Sequence, residues 1–533
     1  MSLFQGAATV DRLREEIQGA RYREASATFC RLVTEEDRPL KDMIKAAIAS
    51  AAPYVQVPSH PMRPPNGELR GVNYDHTILG WRGAISLMGE PGGSRGILPN
   101  IQAMWYVPRG LNVWEQVTCE FPGHYARDGE ECNREFPGPD ELENRFDGAA
   151  WSPPKIYFAD HAPIETGSVE GRLAAMNWAI AEGNKAEAYG LFLGLAKDPA
   201  QRDRLKDAIL FAGITDLQDT IINPGGYQNI GHKALRARGL VDIADYLGWE
   251  NSHDLMYTVV PDLGCSPRLY GLWSEISTIC RMELPDHASV PKRSGKALTE
   301  RELDILTEAL LWGGPFEVNA AIMRFFKRGA GILDVGDAVM VCFQKYLIEI
   351  LEHPNAFPHP THALDYMNVV QLWARNFTNP HQMKAVFMGA RFMNDTIRSN
   401  ANFPRDPAFT LEPRRNFRDW VGAFPVDRLL GEIKDYVLAQ DAHRACALVD
   451  SYLERTAERH DLLDTITFAA RHWRNDPHVM RNGASSLEEF RFNRTSRRDD
   501  IVRGYVKHKS RYVKRAPTHD CYRVYAGYFQ KAA

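Results

Sequence analysis

The sequence lacks several of the features by which protein function is most often recognised. No apolar run approaches the ~18 residues that a membrane-spanning helix needs, and no basic region followed by an apolar one opens the chain, so neither a membrane span nor a signal peptide is predicted. Phosphate-binding loops, the His-Glu-x-x-His motif of zinc proteases and the Cys-x-x-Cys-His haem-attachment motif are all absent. A formal net charge of −4 gives no reason to expect nucleic acid or an anionic membrane as a partner.

The cysteines also form no recognisable metal or disulfide pattern. The chain has 8 of them, widely separated and without a Cys-x-x-Cys pair. Several have apolar neighbours, as in Val341-Cys342-Phe343. Dispersed thiols of this kind predict reduced core residues in a cytoplasmic protein.

The apolar residues that are present follow a helical period. Leu235, Leu240 and Ile243, for example, recur at steps of three to five residues. Because a sustained two-residue alternation is missing, we predict an all-α fold of irregularly stacked helix pairs around a central cavity for a metal and a substrate. Proline-rich breaks suggest three regions: residues 1–70, residues 71–399 with three candidate histidine ligands, and residues 400–533 with a fourth.

The stretch 108–160 is predicted to be a long irregular loop. Glycine, proline and acidic residues dominate it, with aromatic residues scattered among them. A connection of this length usually serves as a lid or a binding loop. We expect the cavity for the substrate to be lined by aromatic residues of this loop and of the segment just before it: Trp105, Trp114, Phe121, Tyr125 and Trp151.

The late run Arg494–Arg515 interleaves basic and tyrosine residues. Such interleaving can bind single-stranded nucleic acid. Asp499 and Asp500 interrupt the run, however, and the whole chain is slightly acidic. The pattern therefore favours a solvated helix face.

Four histidines share one kind of position, in which a turn precedes them and a helical pattern follows: His76, His232, His362 and His478. For His232 the turn is Asn223-Pro224-Gly225-Gly226, and the helix is expected to stop at Gly248. Any one such histidine is most often a cap or a core residue. The recurrence predicts a mononuclear metal site, since neutral imidazole binds iron, zinc and copper. His161, His253 and His381 are weaker candidates.

Three of these runs resemble motifs of the questin oxidase-like family: Gly231-His232-Lys233-Ala234-Leu235, Thr361-His362-Ala363-Leu364 and Asp476-Pro477-His478. Val72–Met88 resembles the N-terminal histidine-bearing helix of that family. Its members are all-helical non-haem iron oxygenases that open a ring of an aromatic polyketide, with a C–C cleaving or Baeyer–Villiger-type outcome. The resemblance implies iron bound by the four histidines, with dioxygen and an apolar aromatic or polyketide-like substrate as partners.

The family's oxygen ligand, a carboxylated lysine, has no counterpart at the matching place, because no lysine follows His478 until Lys507. Glu489 returns to nearly the same helix face as His478 after eleven residues. We therefore predict Glu489 as the anionic ligand or as a carboxylate that receives a ring N–H, with Glu488 as the fallback. Two alternatives accompany the oxygenase hypothesis: a zinc-dependent hydrolase, and a helical-repeat scaffold that binds a protein partner without catalysis.

Overall fold

A computed structural model describes residues 8–19, 21–52, 61–62, 70–71, 76–89, 93–117, 162–217, 231–264, 270–295, 297–351, 358–399, 417–473, 477–511 and 519–530. Its α-helices are α1 Ala8–Gln18, α2 Tyr22–Thr34, α3 Leu40–Ala51, α4 Thr77–Leu87, α5 Leu98–Val117, α6 Val169–Glu182, α7 Lys185–Ala196, α8 Arg202–Thr215, α9 His232–Leu247, α10 His253–Leu263, α11 Gly271–Glu283, α12 Glu300–Trp312, α13 Pro315–Lys327, α14 Ile332–Lys345, α15 Pro358–Asn376, α16 Gln382–Ser399, α17 Arg418–Gly422, α18 Val426–Leu438, α19 Ala442–Arg455, α20 His460–Ala469, α21 Pro477–Phe492, α22 Asp499–Arg511 and α23 Asp520–Phe529.

The predicted all-α class is confirmed. Short 3-10 turns at Gly93–Ile97, Pro199–Gln201, Trp249–Asn251 and His287–Ser289 and a π-helical turn at Tyr346–Ile350 supplement the α-helices. Within the described residues, β structure is limited to an antiparallel pair of two-residue strands, β1 Pro61–Met62 and β2 Arg70–Gly71. None of the described helices is both long enough and apolar enough to cross a membrane.

The predicted start of the irregular loop at residue 108 is wrong. Helix α5 continues through Pro108 as far as Val117. Proline inside a helix removes a hydrogen bond and usually marks its end, which is why the sequence suggested a break there. Extending an established helix is much less costly than starting one, and the buried segment 98–107 has already established this one. The remainder of the predicted loop, 118–160, lies outside the described residues.

One hydrophobic core contains residues from the second predicted region and from the third, and it extends into the first. It runs from Leu13 in α1 to Tyr525 in α23. Helix α21, which belongs to the last region, packs closely against α4, and α15 contacts α21 in turn. Histidines that are hundreds of residues apart in sequence are therefore carried by neighbouring helices.

The predicted solvated face on the basic run is also wrong. Tyr505, Lys507 and Lys509 are buried in α22, with 1%, 1% and 0% of their surface exposed. This helix packs against α14, α19 and α21, which cover it from several sides. The aliphatic stems of the lysines add to that packing, and this is a pattern that a charge count cannot distinguish from a solvated helix.

The prediction of buried, reduced cysteines holds for the five cysteines within the described residues. These are buried thiols that take part in no disulfide within the described chain: Cys30, Cys280, Cys342, Cys446 and Cys521. Burial raises the pKa of the Cys280 thiol to about 11, so this cysteine stays protonated at neutral pH. Unreactive core thiols are the expected result of such an environment.

The close packing of α4 against α21 depends on Gly83. A Cβ added there would lie 2.8 Å from the backbone carbon of Met480 and 2.9 Å from the backbone nitrogen of Arg481. Since backbone atoms cannot move aside without shifting a helix, we expect Gly83→Ala to lower the free energy of unfolding by about 1–3 kcal/mol. Chemical denaturation measures this change.

A matched control for Gly83→Ala is Gly431→Ala, in the interior of α18, where an added Cβ meets nothing within 4 Å. That variant should gain up to about 1 kcal/mol, because alanine is a better helix former than glycine. Equal effects of the two substitutions would show that α4 and α21 are not in close contact at Gly83.

Candidate metal centre

The four predicted histidines enter the interior at the first turns of four helices. His76 caps α4, His232 is the first residue of α9, His362 lies in the first turns of α15, and His478 is the second residue of α21. All four side chains are buried. Four separate helix starts therefore deliver imidazoles to one place.

A glycine makes the start of α9 possible. Gly231 has a φ of +80°, a left-handed conformation that residues with a Cβ seldom adopt. A Cβ at this position would also lie 3.1 Å from the ring of Tyr366 in α15. Helix α9 can thus begin directly against α15, which brings His232 close to His362.

Three of the imidazoles point the same ring nitrogen at one another. The Nε2 atom of His232 lies 3.1 Å from Nε2 of His76 and 3.0 Å from Nε2 of His362. Ligand nitrogens of these three residues all lie within 4.8 Å of one another. Convergence of this kind is what a metal ion requires of its ligands.

With the fourth imidazole, the four side chains lie at the corners of a quadrilateral. The centroids of His76 and His232 are 4.8 Å apart, those of His232 and His362 4.7 Å, those of His362 and His478 4.8 Å, and those of His478 and His76 4.8 Å. The diagonal from His76 to His362 is longer, at 6.5 Å. Four nearly equal sides with a longer diagonal describe a four-cornered arrangement rather than a tetrahedron, in which all pairs would be equally separated.

The surroundings favour neutral imidazole, which is the form that binds metals. Burial is the largest cause that lowers the pKa of His232 well below its usual range, and the neighbouring His76, Arg236, Arg481 and His478 lower it further. The Nδ1 atom of His232 is buried and has no hydrogen-bond partner among the residues that the structure describes. The chemistry of this donor set fits a divalent transition metal.

Two buried ion pairs beside the imidazoles were not predicted from the sequence. Arg236 Nη1 donates to Asp262 at 2.9 Å, and Arg481 Nε lies 3.0 Å from Asp365, without the alignment of a hydrogen bond. Burial raises the pKa of Asp365, while Arg481 opposes that rise. Asp365 follows His362 by three residues, and Arg481 follows His478 by three. Because residues three apart lie on the same face of a helix, this spacing could have predicted charged side chains beside the imidazoles.

The same four helices meet again at a second buried cluster, nearly two turns further on. Arg82, Arg238 and Asn368 each follow their histidine by six residues, which is about 9 Å along a helix axis. Both arginines donate to the side-chain oxygen of Asn368, at 3.2 and 3.0 Å. Both also contact Glu488 of α21, at 3.4 and 2.7 Å. We call these residues the arginine–glutamate cluster.

Further contacts tie this cluster together. Arg375 of α15 contacts Glu488 at 3.0 Å, and Asp242 of α9 accepts from Arg82 at 3.1 Å and from Arg238 at 2.8 Å. Burial opposes ionisation of Glu488, but Arg238, Arg375 and Arg82 outweigh it and lower the pKa of Glu488 to about 2. A charge network of this kind fixes the relative position of the helices that carry the histidines.

The prediction of Glu489 as a ligand or as a partner of a ring N–H is corrected. Glu489 is buried, as an internal role requires, but its Oε1 atom accepts from Asn368 at 2.7 Å and contacts Arg375 at 3.1 Å. Eleven residues restore the helix face yet advance about 16 Å along the axis, which is much farther than a shared metal allows. Glu488, the fallback, lies one residue earlier in the same helix and is too far from the imidazoles for the same reason. It belongs to the arginine–glutamate cluster.

The predicted substrate residues are only partly within the described chain. Trp105 is buried in α5, with its ring 5.4 Å from that of Tyr22, so it packs between α5 and α2. Trp114 lies further along α5. Phe121, Tyr125 and Trp151 lie outside the described residues, as does the weaker metal candidate His161.

The other two weaker candidates lie elsewhere. His253 begins α10 and lines a cavity of about 380 Å³ together with Trp249 and Met256, and none of the four clustered histidines lines that cavity. His381 stacks on the ring of Phe211, at 5.3 Å. Neither contributes to the group of converging nitrogens.

Comparison of the chain with known protein families, with curated proteins and with solved structures finds no significant match.

Proposed function

We propose that His76, His232, His362 and His478 bind one iron ion and that the protein is a non-haem iron oxygenase. The observation that carries the proposal is the convergence of three Nε2 atoms at 3.0 and 3.1 Å, with the fourth ring alongside. The resemblance to the questin oxidase-like family supplies the expected chemistry: oxidation of an apolar aromatic or polyketide-like substrate by dioxygen.

The donor set by itself fits both iron and zinc, because neutral imidazole binds either metal. We propose iron because the resemblance to the questin oxidase-like family implies it, and zinc remains the alternative that the experiment below distinguishes.

When bound, iron would supply the one-electron and dioxygen chemistry that no amino-acid side chain provides. The four imidazoles, each in its neutral form, would hold the iron ion. Their burial would keep bulk water away from the reacting groups. Arg236 and Arg481, each next to a carboxylate, would leave the net charge around the imidazoles close to zero. The arginine–glutamate cluster would keep the four helices in register.

Metal dependence of oxygen uptake tests the proposal against its alternatives. Protein stripped of metal and reloaded without oxygen should consume dioxygen with a panel of polycyclic aromatic compounds when iron is present, and should not when zinc replaces it. An oxygen electrode measures this. Hydrolysis of an ester or amide panel by the zinc form alone would favour the zinc hydrolase, and failure of both metals to bind would favour the protein-binding scaffold.

A further inference from the structure

A cavity of about 380 Å³ is lined by residues of α7, of the turn that follows α9, and of the start of α10. Its inner wall is apolar, since Leu193, Ala196, Trp249 and Met256 line it and each is at most 9% exposed. Sites for small molecules usually have volumes of about 300–1,000 Å³, apolar walls and a few polar groups. The size and the lining of this cavity therefore suit a small molecule with an apolar body.

Another side of the cavity is formed by Pro163, whose neighbour Ile164 is held tightly against α7. The backbone nitrogen of Ile164 donates to the carbonyl oxygen of Gly190 at 2.8 Å. A Cβ added to Gly194 would overlap the carbonyl oxygen of Ile164, so only glycine permits this approach. Backbone contacts thus build the wall, as is usual for a site that is largely preformed.

Arg202, the first residue of α8, brings a guanidinium group to the same cavity. Its side chain is 29% exposed, and its Nη2 atom lies 3.7 Å from the carboxylate of Glu250, which is too far for a hydrogen bond. Its Nε atom is buried and makes no hydrogen bond among the described residues. The ring of Trp249, 6.0 Å from Cζ, attracts the cation but leaves its N–H groups available.

The other charges at the cavity leave Arg202 as the group best placed to receive a ligand. Lys197 also lines the cavity, but its Nζ atom already donates to Glu165. Glu250 is 68% exposed, so water solvates it and its attraction to Arg202 is weak. Arg202 and His253 are first residues of helices, where the helix dipole adds partial positive charge. This charge distribution favours an anionic group beside Arg202.

We propose that this cavity binds a small apolar carboxylate, whose carboxylate group accepts from Arg202 and whose apolar body lies against Trp249 and Met256. The N–H groups of an arginine match the two oxygens of a carboxylate, and such charge-assisted pairs are stronger than neutral hydrogen bonds. The site is separate from the imidazoles, because α9 begins at His232 and its 16 residues extend about 24 Å before the turn that lines the cavity. The proposal does not depend on the proposed iron chemistry.

Isothermal titration calorimetry of the full-length protein with 2-naphthoate, after chelation of any metal, tests the proposal. We expect a dissociation constant of about 1 mM or lower, which is the affinity usual for a ligand of this size. The amide 2-naphthamide has the same apolar body without the charge, and it should bind about tenfold more weakly or worse. Acetate, which lacks the apolar body, should give no measurable binding.

Three variants locate the binding, and thermal unfolding verifies that each is folded. Ala196→Leu adds apolar bulk to the wall of the cavity and should abolish binding. Arg202→Gln should weaken 2-naphthoate about tenfold or more, but should change the binding of 2-naphthamide much less. Arg204→Gln is the matched control, because Arg204 lies two residues further along α8, pairs with Glu170 and does not line the cavity. It should bind both ligands like the native protein.

Absence of 2-naphthoate binding, or equal binding of 2-naphthamide, would overturn the proposal. So would equal weakening by Arg202→Gln and Arg204→Gln, or undiminished binding in Ala196→Leu, since either result places the ligand elsewhere. Octanoate then distinguishes two sources of the same chemistry: tighter binding than that of 2-naphthoate identifies a fatty acid, and weaker binding identifies an aromatic acid. Because the chelated protein gives the readout, these results are independent of whether the protein is an oxygenase.

Discussion

Replacing His232 with alanine is expected to abolish stoichiometric binding of iron. His232 is the imidazole whose Nε2 atom lies within 3.1 Å of two others, so its loss removes the centre of the converging set. Loss of a direct ligand should exceed the ~10–100-fold weakening that outer-sphere changes cause. Metal analysis after dialysis and calorimetric titration with Fe(II) under nitrogen measure the effect.

The same substitution separates metal binding from folding. Addition of iron should raise the free energy of unfolding of the native protein by about 4 kcal/mol at a thousandfold excess over the dissociation constant, and should leave the variant unchanged. His381→Gln is the matched control, because His381 stacks on Phe211 outside the cluster. Retention of iron by the His232 variant, or equal loss by the control, would contradict the proposed centre.

Replacing Glu488 with glutamine is expected to destabilise the protein by about 3–5 kcal/mol at neutral pH, because it leaves buried arginines without their shared carboxylate. Three arginines contact this side chain: Arg82, Arg238 and Arg375. Since these contacts join the helices that carry the imidazoles, iron affinity should also fall, by about tenfold or more. Chemical denaturation and metal titration measure the two effects.

The contribution of Glu488 to stability should decrease at acidic pH. The pKa of Glu488 is lowered from 4.5 to about 2, so its stabilising contribution is complete above pH 4.5 and is lost as pH falls towards 2. The difference corresponds to about 3 kcal/mol. The native protein should lose this amount between those pH values relative to the Glu488→Gln variant.

Glu489→Gln is the control for the glutamate prediction. Among the described residues, Glu489 has hydrogen-bond contacts with Asn368 and with one arginine, Arg375, and its pKa is raised by burial rather than lowered. We expect its replacement to cost less than about 1.5 kcal/mol and to leave iron affinity unchanged, because the amide oxygen of glutamine can still accept from Asn368 and Arg375, and Arg375 keeps its contact with Glu488. Equal losses in the two variants would show that the cluster does not act through Glu488.

The sequence was a good guide to the helix starts. The predicted start of a helix at His232 and its stop at Gly248 are confirmed, with α9 spanning His232–Leu247, whereas the predicted turn at 223–226 lies outside the described residues. Periodicity and turn chemistry are local properties, and local sequence determines them. Pro108 misled for the same reason, since the local preference of proline was outweighed by a helix already established before it.

The sequence was a poor guide to charged side chains. Glu489 has the helical phase of His478 but lies three turns away, and periodicity specifies direction around an axis without specifying distance along it. Lys509 looked like part of a solvated face, yet α21 and its neighbours bury it completely. Whether a charge meets water or another charge depends on which helices pack beside it.

By itself, then, the sequence determined an all-α chain and the position of four histidines at the starts of four helices, because both follow from interactions within a few residues. Only the tertiary structure decided that those four helix starts meet. It places Nε2 of His232 3.1 Å from that of His76 and 3.0 Å from that of His362, although these residues are far apart in the sequence. It also decided that Arg82, Arg238, Asn368 and Glu488 meet further along the same four helices. These contacts join residues hundreds of positions apart, and close helix packing at sites such as Gly83 is the physical cause that brings them together.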